Sequence, residues 1–203
     1  MSGAAPLLAA EALAAALRAG QAAVFPTDTL PALAALPVHA DQIWRLKARP
    51  RDKPLILMAA HPEVLVAASG LTWRREWLEA AARVWPGAVT LVLPAIGPIV
   101  DALNPGGGTL GLRVPAAAPA LEVLRFTGPL ATTSANRSGE PPCRDAVEAA
   151  TRFPTVARLG PLPWPGGSGQ ASTVLAWTDE EGWRTLRPGA SLSLLPPIDP
   201  CSG

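Results

Sequence analysis

The sequence has no tyrosine, two cysteines and two histidines among 203 residues, and only 16% of it is charged. Cys143 and Cys201 lie far apart and outside any C-x-x-C pattern, which excludes a disulfide framework and a paired-cysteine zinc knuckle. His39 and His61 are too few for an H-E-x-x-H or multi-histidine centre; carboxylate-held Mg2+ stays open, with metal ligands unknown. Seventeen Lys and Arg against 16 Asp and Glu leave a net charge of +1, so no global field draws the chain to nucleic acid or an anionic membrane. Any anion site must be local. No apolar run escapes Pro, Gly or charge for about 18 residues, and the apolar start is interrupted by Glu11 and Arg18 with no basic segment before it. The expectation is a cytoplasmic chain with no secretory signal and no membrane partner.

What is abundant is proline and glycine, 24 and 18 residues, a sum below the roughly 25–30% that marks disorder. With 49% apolar residues the chain can bury one sizeable core. A single domain over residues 1–203 is expected, its core spanning about 6–190, with a Pro-rich, loosely ordered tail over 190–203. Ala10, Leu13, Ala14 and Leu17 follow helical spacing, so residues 6–19 read as an amphipathic helix ending at Gly20. Residues 22–25 read as a strand running out into a loop at Thr27-Asp28-Thr29. Helices are expected over 41–47, 62–68, 75–84, 117–126 and 144–152. Strands are expected over 55–59, 89–93, 111–114, 130–133, 155–159, 172–177 and 183–187. The alternation predicts an α/β fold, a twisted mixed sheet with flanking helices.

Five polar clusters are candidates for chemistry. Arg45, Lys47, Arg49, Arg51 and Lys53 put a cation at every second position, which suits a polyphosphate; the same residues also suit a solvated turn. Thr27 and Thr29 flank Asp28, and an extended backbone sets both hydroxyls on one side and the carboxylate on the other. A local hydroxyl turn before Pro31 is the alternative. Thr132-Thr133-Ser134-Ala135-Asn136 follows a strand, where ligands of open α/β sheets bind. Pro105–Thr109 and Gly166–Thr173 offer backbone N–H groups to an anion, yet neither has Walker A or G-x-G-x-x-G spacing. The seven Trp are scattered through helix and core positions, against a base-stacking surface.

In order, Phe25-Pro26-Thr27-Asp28-Thr29, Lys47-Ala48-Arg49-Pro50 with Lys53-Pro54-Leu55, Trp85-Pro86-Gly87-Ala88-Val89-Thr90, Leu112-Arg113-Val114-Pro115, Ser134-Ala135-Asn136 with Ser138-Gly139, and Ser172-Thr173-Val174 resemble the YrdC-like threonylcarbamoyl-AMP synthase family. The resemblance runs over about residues 8–190. It implies a YrdC-like fold with a concave basic cleft. It also implies an enzyme, a nucleotidyltransferase that joins L-threonine, bicarbonate and ATP into threonylcarbamoyl-adenylate and pyrophosphate, with Mg2+ accompanying ATP. The product feeds N6-threonylcarbamoyladenosine formation in tRNA through downstream threonylcarbamoyl-transfer proteins.

On matching positions, Thr27, Thr29, Arg113, Ser134 and Ser172 are implied to bind threonine. Lys47, Arg49, Lys53, Thr109, Asn136, Arg144 and Arg187 are implied to bind ATP, and Lys47, Arg49, Ser134 and Asn136 to carry the catalysis. The chain departs from the family at Pro31-Ala32, where relatives read Tyr-Gly, at Met58, where some carry a polar residue, and at Ala176, where an acidic residue is frequent. Pro31 removes an N–H and Ala32 removes glycine's freedom at positive φ. The second domain of longer relatives has no counterpart here, which puts any lid in residues 160–172 or the tail. Two readings compete with the synthase: a paralogue of the same fold without synthase activity that binds tRNA or double-stranded RNA, and a plain double-stranded RNA-binding module.

Overall fold

The computed structural model describes residues 5–191; the expected tail from residue 192 on, with Cys201, lies outside them. Along the chain run β1 (Leu7–Leu8), α1 (Ala10–Arg18), β2 (Ala23–Phe25), β3 (Ala32–Ala35), α2 (Asp41–Lys47), β4 (Ile56–Met58), α3 (Pro62–Ser69), α4 (Arg75–Val84) and β5 (Val89–Pro94). There follow α5 (Pro98–Leu103), β6 (Thr109–Arg113), α6 (Ala118–Thr127), β7 (Leu130–Ser134), α7 (Ala146–Arg152), β8 (Ala157–Leu159), β9 (Thr173–Thr178) and β10 (Gly182–Arg187). All ten strands join one sheet in the order β1-β8-β2-β3-β7-β4-β6-β5-β9-β10. It is mixed: β1/β8, β2/β8, β4/β6 and β5/β9 pair in parallel and the other neighbours antiparallel.

Side chains alternate across a strand, so each strand feeds two layers. Leu33, Leu57, Leu91, Leu93, Leu110, Leu112, Ala131 and Leu175 point to the larger core. There they meet Ile43 and Trp44 of α2, Leu65 of α3, Trp77 and Val84 of α4, and Val100 and Leu103 of α5. The opposite face carries Ala23, Phe25, Ala32, Ala34, Leu130, Ala157 and Leu159, packed under Leu13 and Leu17 of α1 and Val123 and Leu124 of α6. Those two helices cover only the β8-β2-β3-β7 half. Over β4, β6, β5 and β9 the same face carries Ile56, Met58, Thr109, Gly111, Arg113, Thr90, Val92, Ser172 and Val174, which line a cleft, with Met58 and Ile56 also packed at the edge of the α1/α6 core.

Several elements differ from the sequence reading. The helix expected over 6–19 begins at Ala10, because Leu7–Leu8 adds a parallel strand to β8. The helix expected from residue 144 begins at Ala146, because the Asp145 carboxylate accepts the Val147 and Glu148 N–H groups at 2.8 and 2.9 Å and caps it. β3 and α5 are new. β3 is Ala-Leu-Ala-Ala, buried on both faces, so it shows no alternation and little β-propensity.

Candidate active site

The cleft has a volume of about 370 Å³. Its floor is the uncovered sheet face; its walls are the Thr27–Leu30 bend and Ala171-Ser172 on one side, Arg49 and Pro54 on another, and Leu186-Arg187 of β10. Gly111 keeps the floor open: a Cβ there would lie 2.8 Å from Ile56 Cγ2.

At one end stands Arg113, 4% exposed. Its Nε donates to the Gly87 carbonyl at 3.0 Å, Nη1 to Thr29 Oγ1 at 2.8 Å and Nη2 to Asp28 Oδ1 at 2.9 Å. Asp28 Oδ1 also accepts the Ala116 N–H at 3.0 Å. The chain bends at Asp28 rather than staying extended, so the carboxylate and the Thr29 hydroxyl meet one guanidinium instead of facing opposite sides. Thr27 Oγ1 donates to the Leu30 carbonyl at 2.7 Å, so it must accept from Thr29 Oγ1 3.0 Å away. The chain of donors therefore runs Arg113 to Thr29 to Thr27 to Leu30. Burial lowers the Arg113 pKa, Asp28 raises it and Arg187 lowers it again. Three of the five guanidinium N–H groups are engaged, which leaves one on each Nη for a ligand.

Ser134 and Asn136 follow β7. Lys47, 0% exposed, donates through Nζ to the Ser134 carbonyl and to Asn136 Oδ1 at 2.9 Å. Ser134 Oγ donates to the same Oδ1 at 2.7 Å, and Asn136 Nδ2 donates to the Arg137 and Glu140 carbonyls at 2.8 and 2.9 Å. Asn136 is thus a hub whose amide is fully occupied, while the Ser134 hydroxyl keeps its lone pairs to accept from a ligand. Burial lowers the Lys47 pKa to about 7, helped by Arg49 and opposed by Cys143.

Two more arginines line the cleft, Arg49 and Arg187, and Arg187 is close enough to both Arg113 and Arg49 to depress the pKa of each. Ala48, at φ 47, closes α2 in a Schellman turn, with Ala48 N–H on Arg45 O and Arg49 N–H on Trp44 O. That turn sends Lys47 inward and Arg49 to the cleft, where Arg49 donates to the Lys53 and Pro54 carbonyls at 3.2 and 3.0 Å. Arg187 Nη2 donates to the Ser172 carbonyl at 2.9 Å, and Ser172 Oγ lies 2.9 Å from Thr90 Oγ1. Burial lowers the pKa of both arginines; Asp52 raises that of Arg49 and Arg187 lowers it.

The remaining sequence-chosen residues spread outward. Thr109 lines the cleft and accepts from Asn104 Nδ2 at 3.2 Å. Lys53 is exposed and outside the lining, its carbonyl taken by Arg49 and Trp44. Arg144 lies in an adjoining recess with Thr29, Leu30 and residues 166–170. That Gly-rich loop is clamped on the Thr27–Thr29 bend: Ser168 and Gly169 N–H donate to the Asp28 and Thr29 carbonyls at 3.0 and 3.2 Å. Thr132 and Thr133 of the candidate cluster after β7 line the cleft with Ser134, while Thr90, Val92, Ile56 and Gly111 are lining residues that were not singled out as site residues in the sequence; the two-residue period Thr109-Gly111-Arg113 is the pattern that marks such a face. The departures at Pro31 and Ala32 are absorbed: Pro31 uses only its carbonyl, which accepts the Ala135 N–H at 2.8 Å, and Ala32 sits in β3 opposite Ser134.

A family model described as Sua5_yciO_yrdC, "Telomere recombination", matches residues 15–189. The threonylcarbamoyl-AMP synthase of Halorhodospira halophila is 36% identical over 174 residues, covering 80% of this chain and 91% of that protein. That of Bacillus subtilis is 36% identical over 188 residues, covering 87% of this chain and 52% of that protein. The structure of Pyrococcus abyssi Sua5 complexed with L-threonine superposes with a TM-score of 0.81 at 30% identity, covering 89% of this chain and 54% of that one. This chain spans about half the length of the last two relatives. With the family model covering most of its length and relatives of this identity, the chain belongs to the Sua5/YciO/YrdC family.

Proposed function

We propose that this chain is a threonylcarbamoyl-AMP synthase, which makes L-threonylcarbamoyladenylate and pyrophosphate from L-threonine, bicarbonate and ATP. The observation that carries the reading is one cleft with two differently built ends. At one end Arg113 keeps N–H groups for a carboxylate beside the Thr29 hydroxyl. At the other, Arg49 makes no ion pair among the described residues and leans only on the Lys53 and Pro54 carbonyls, while Arg187, close enough to both Arg49 and Arg113 to depress the pKa of each, leans on the Ser172 carbonyl. The first suits an amino acid and the second a polyphosphate.

The chemistry asks for positioning and charge neutralisation rather than a protein nucleophile. The neutral amine of threonine attacks bicarbonate and water leaves, giving a carbamate. A carbamate oxygen then attacks the α-phosphorus of ATP, and the bond to the β,γ-pyrophosphate breaks. Arg113 fixes the threonine carboxylate, and the Ser134 hydroxyl, its proton committed to Asn136, accepts from the amine. Arg49 and Arg187 meet the charge that accumulates on the departing pyrophosphate, with Thr109, Lys53 and Arg144 at the margins. The cleft lining has no Asp or Glu, and the described residues hold no cluster of three metal-ligating side chains, so Mg2+ enters as part of the ATP substrate. The product is a mixed anhydride, so a transfer enzyme acting on tRNA must take it up.

Mass spectrometry of the protein incubated with ATP, Mg2+, bicarbonate and L-threonine tests this. A threonylcarbamoyl-adenylate peak that vanishes on omitting any one substrate is the expected result, and its absence from folded protein overturns the reading. Arg49→Ala is expected to cut turnover at least about a hundredfold, the scale of a lost charge-stabilising donor. Its contacts are two loop carbonyls, so the variant should melt within a few degrees of the parent.

A further inference from the structure

Thr90 of β5 and Ser172, just before β9, both line the cleft and stand with their hydroxyl oxygens 2.9 Å apart. Thr90 and Arg187 each pair with Val174, so Thr90, Val174 and Arg187 form one row across β5, β9 and β10, and Ser172, two residues before Val174, shares that face. The backbone around Ser172 is held without its side chain. The Thr173 N–H donates to the Ala88 carbonyl at 3.0 Å, the Ala190 N–H to the Ala171 carbonyl at 2.9 Å, and Arg187 Nη2 to the Ser172 carbonyl at 2.9 Å. What is left to fix is the direction of the hydroxyl.

Burial decides which of the two hydroxyls donates. Thr90 is 2% exposed, and among the described residues Ser172 Oγ is the only hydrogen-bond partner of its side chain. If Ser172 donated, the Thr90 proton would be left inside the sheet without an acceptor, at the full desolvation penalty of a buried donor. If Thr90 donates, both are satisfied, because Ser172 lines the cleft and can give its own proton to a ligand. Arg187 Nη2, 3.5 Å from Ser172 Oγ, is a second donor facing that oxygen and likewise asks it to accept. Ser134 is wired the other way: its proton goes to Asn136 Oδ1, so it offers lone pairs.

We infer that Thr90 is a positioning residue, which holds the Ser172 hydroxyl as a donor toward an anionic oxygen of the bound substrates, opposite in polarity to Ser134. A carboxylate, carbamate or phosphate oxygen meets that requirement, and an ammonium group, which has no lone pair, does not. Thr90 acts through Ser172, its own hydroxyl being committed to that contact. A donor set in advance avoids the cost of ordering the Ser172 rotor when the ligand arrives. The inference rests on the synthase reading only for naming the ligands, L-threonine and ATP.

The test is a double-mutant cycle read by calorimetry. Wild type, Thr90→Val, Ser172→Ala, the double variant and Thr90→Ser, each as the full chain, are titrated with L-threonine and with ATP in separate runs, and adenylate formation is followed in the same samples. Thr90→Val, close in shape and without the hydroxyl, is expected to weaken at least one of the two ligands about three- to tenfold. Thr90→Ser is expected to bind within about twofold of wild type, and Thr90→Val to cost nothing further in the Ser172→Ala background. A loss confined to L-threonine puts the accepting oxygen on the amino acid and one confined to ATP puts it on a phosphate; both support the inference. A Thr90→Val loss that persists in full in Ser172→Ala overturns it, and so does unchanged binding of both ligands in Thr90→Val, Thr90 then being a packing group. If Thr90→Val does not fold, Thr90→Ala against Thr90→Ser completes the same cycle. Coupling between Thr90 and Ser172 in binding, without any adenylate product from wild type, overturns the synthase reading and leaves the role of Thr90 standing.

Discussion

Lys47 shows what burial does to one cation. It is fully enclosed, its two acceptors are a carbonyl and an amide oxygen rather than a carboxylate, and its pKa falls to about 7. The unfolded chain keeps the ordinary value of 10.5. Below pH 7 the ammonium is charged in both states, and the cost of burying it is present in full. Between pH 7 and 10.5 the unfolded chain holds a proton that the folded one has released, so stability rises with pH through that window. Urea midpoints of wild type and Lys47→Met from pH 6 to 9 measure it. Wild type should gain roughly 2 kcal/mol relative to the variant across that range. A difference flat in pH would mean that Lys47 keeps its proton inside the fold. The same residue explains why the sequence pattern of alternating cations misleads: Lys47 and Arg49 are two apart, yet one is a buried brace and the other a cleft residue, because Ala48 turns the backbone between them.

At the scale of elements, the site depends on a loop held by backbone alone. Gly167 lies so close to the Thr27–Thr29 bend that a Cβ would come within 2.3 Å of the Thr29 carbonyl oxygen and 2.7 Å of that of Thr27. Both atoms are main chain and cannot swing aside. Gly167→Ala must therefore push the loop off the bend and break the Ser168 and Gly169 contacts that steady Asp28 and Thr29. The expected outcome is a threonine KM raised about tenfold or more with the melting temperature little changed, since the loop is exposed and carries no core residue; steady-state kinetics and a thermal melt together read it. An unchanged KM would show that the bend holds without its clamp. Amphipathic α1 and α4 were legible because one period dominates each, and β5 and β7 because each holds a short apolar stretch next to a turn signal. β3 was not, since burial on both faces erases alternation. Asn136 reads in sequence as a ligand contact, while the fold spends all four of its hydrogen bonds on Lys47, Ser134 and two carbonyls. Motif order carries the family, but the division of labour inside a motif depends on backbone turns that composition does not encode.

Over the whole molecule, a net charge of +1 conceals a local imbalance. Arg113 is balanced by Asp28, whereas Arg49 and Arg187 form no ion pair among the described residues, and Arg187 depresses the pKa of Arg49 as well as that of Arg113. A polyanion that sits between them relieves that repulsion only in the folded state, so it should raise stability by mass action. At about a hundred times its Kd, pyrophosphate is expected to add about 2.7 kcal/mol, which for a chain of this size is roughly 5–10 °C in melting temperature. Raising the salt should shrink the shift, because these cations reach solvent and are screened. L-threonine, whose carboxylate meets the buried Arg113, should keep most of its own shift under the same conditions. Arg49→Ala should lose most of the pyrophosphate shift and little of the threonine one, since the two ligands engage opposite ends of the cleft. Equal loss of both would mean that the two ends are one site, and equal retention would move the polyphosphate away from Arg49 altogether.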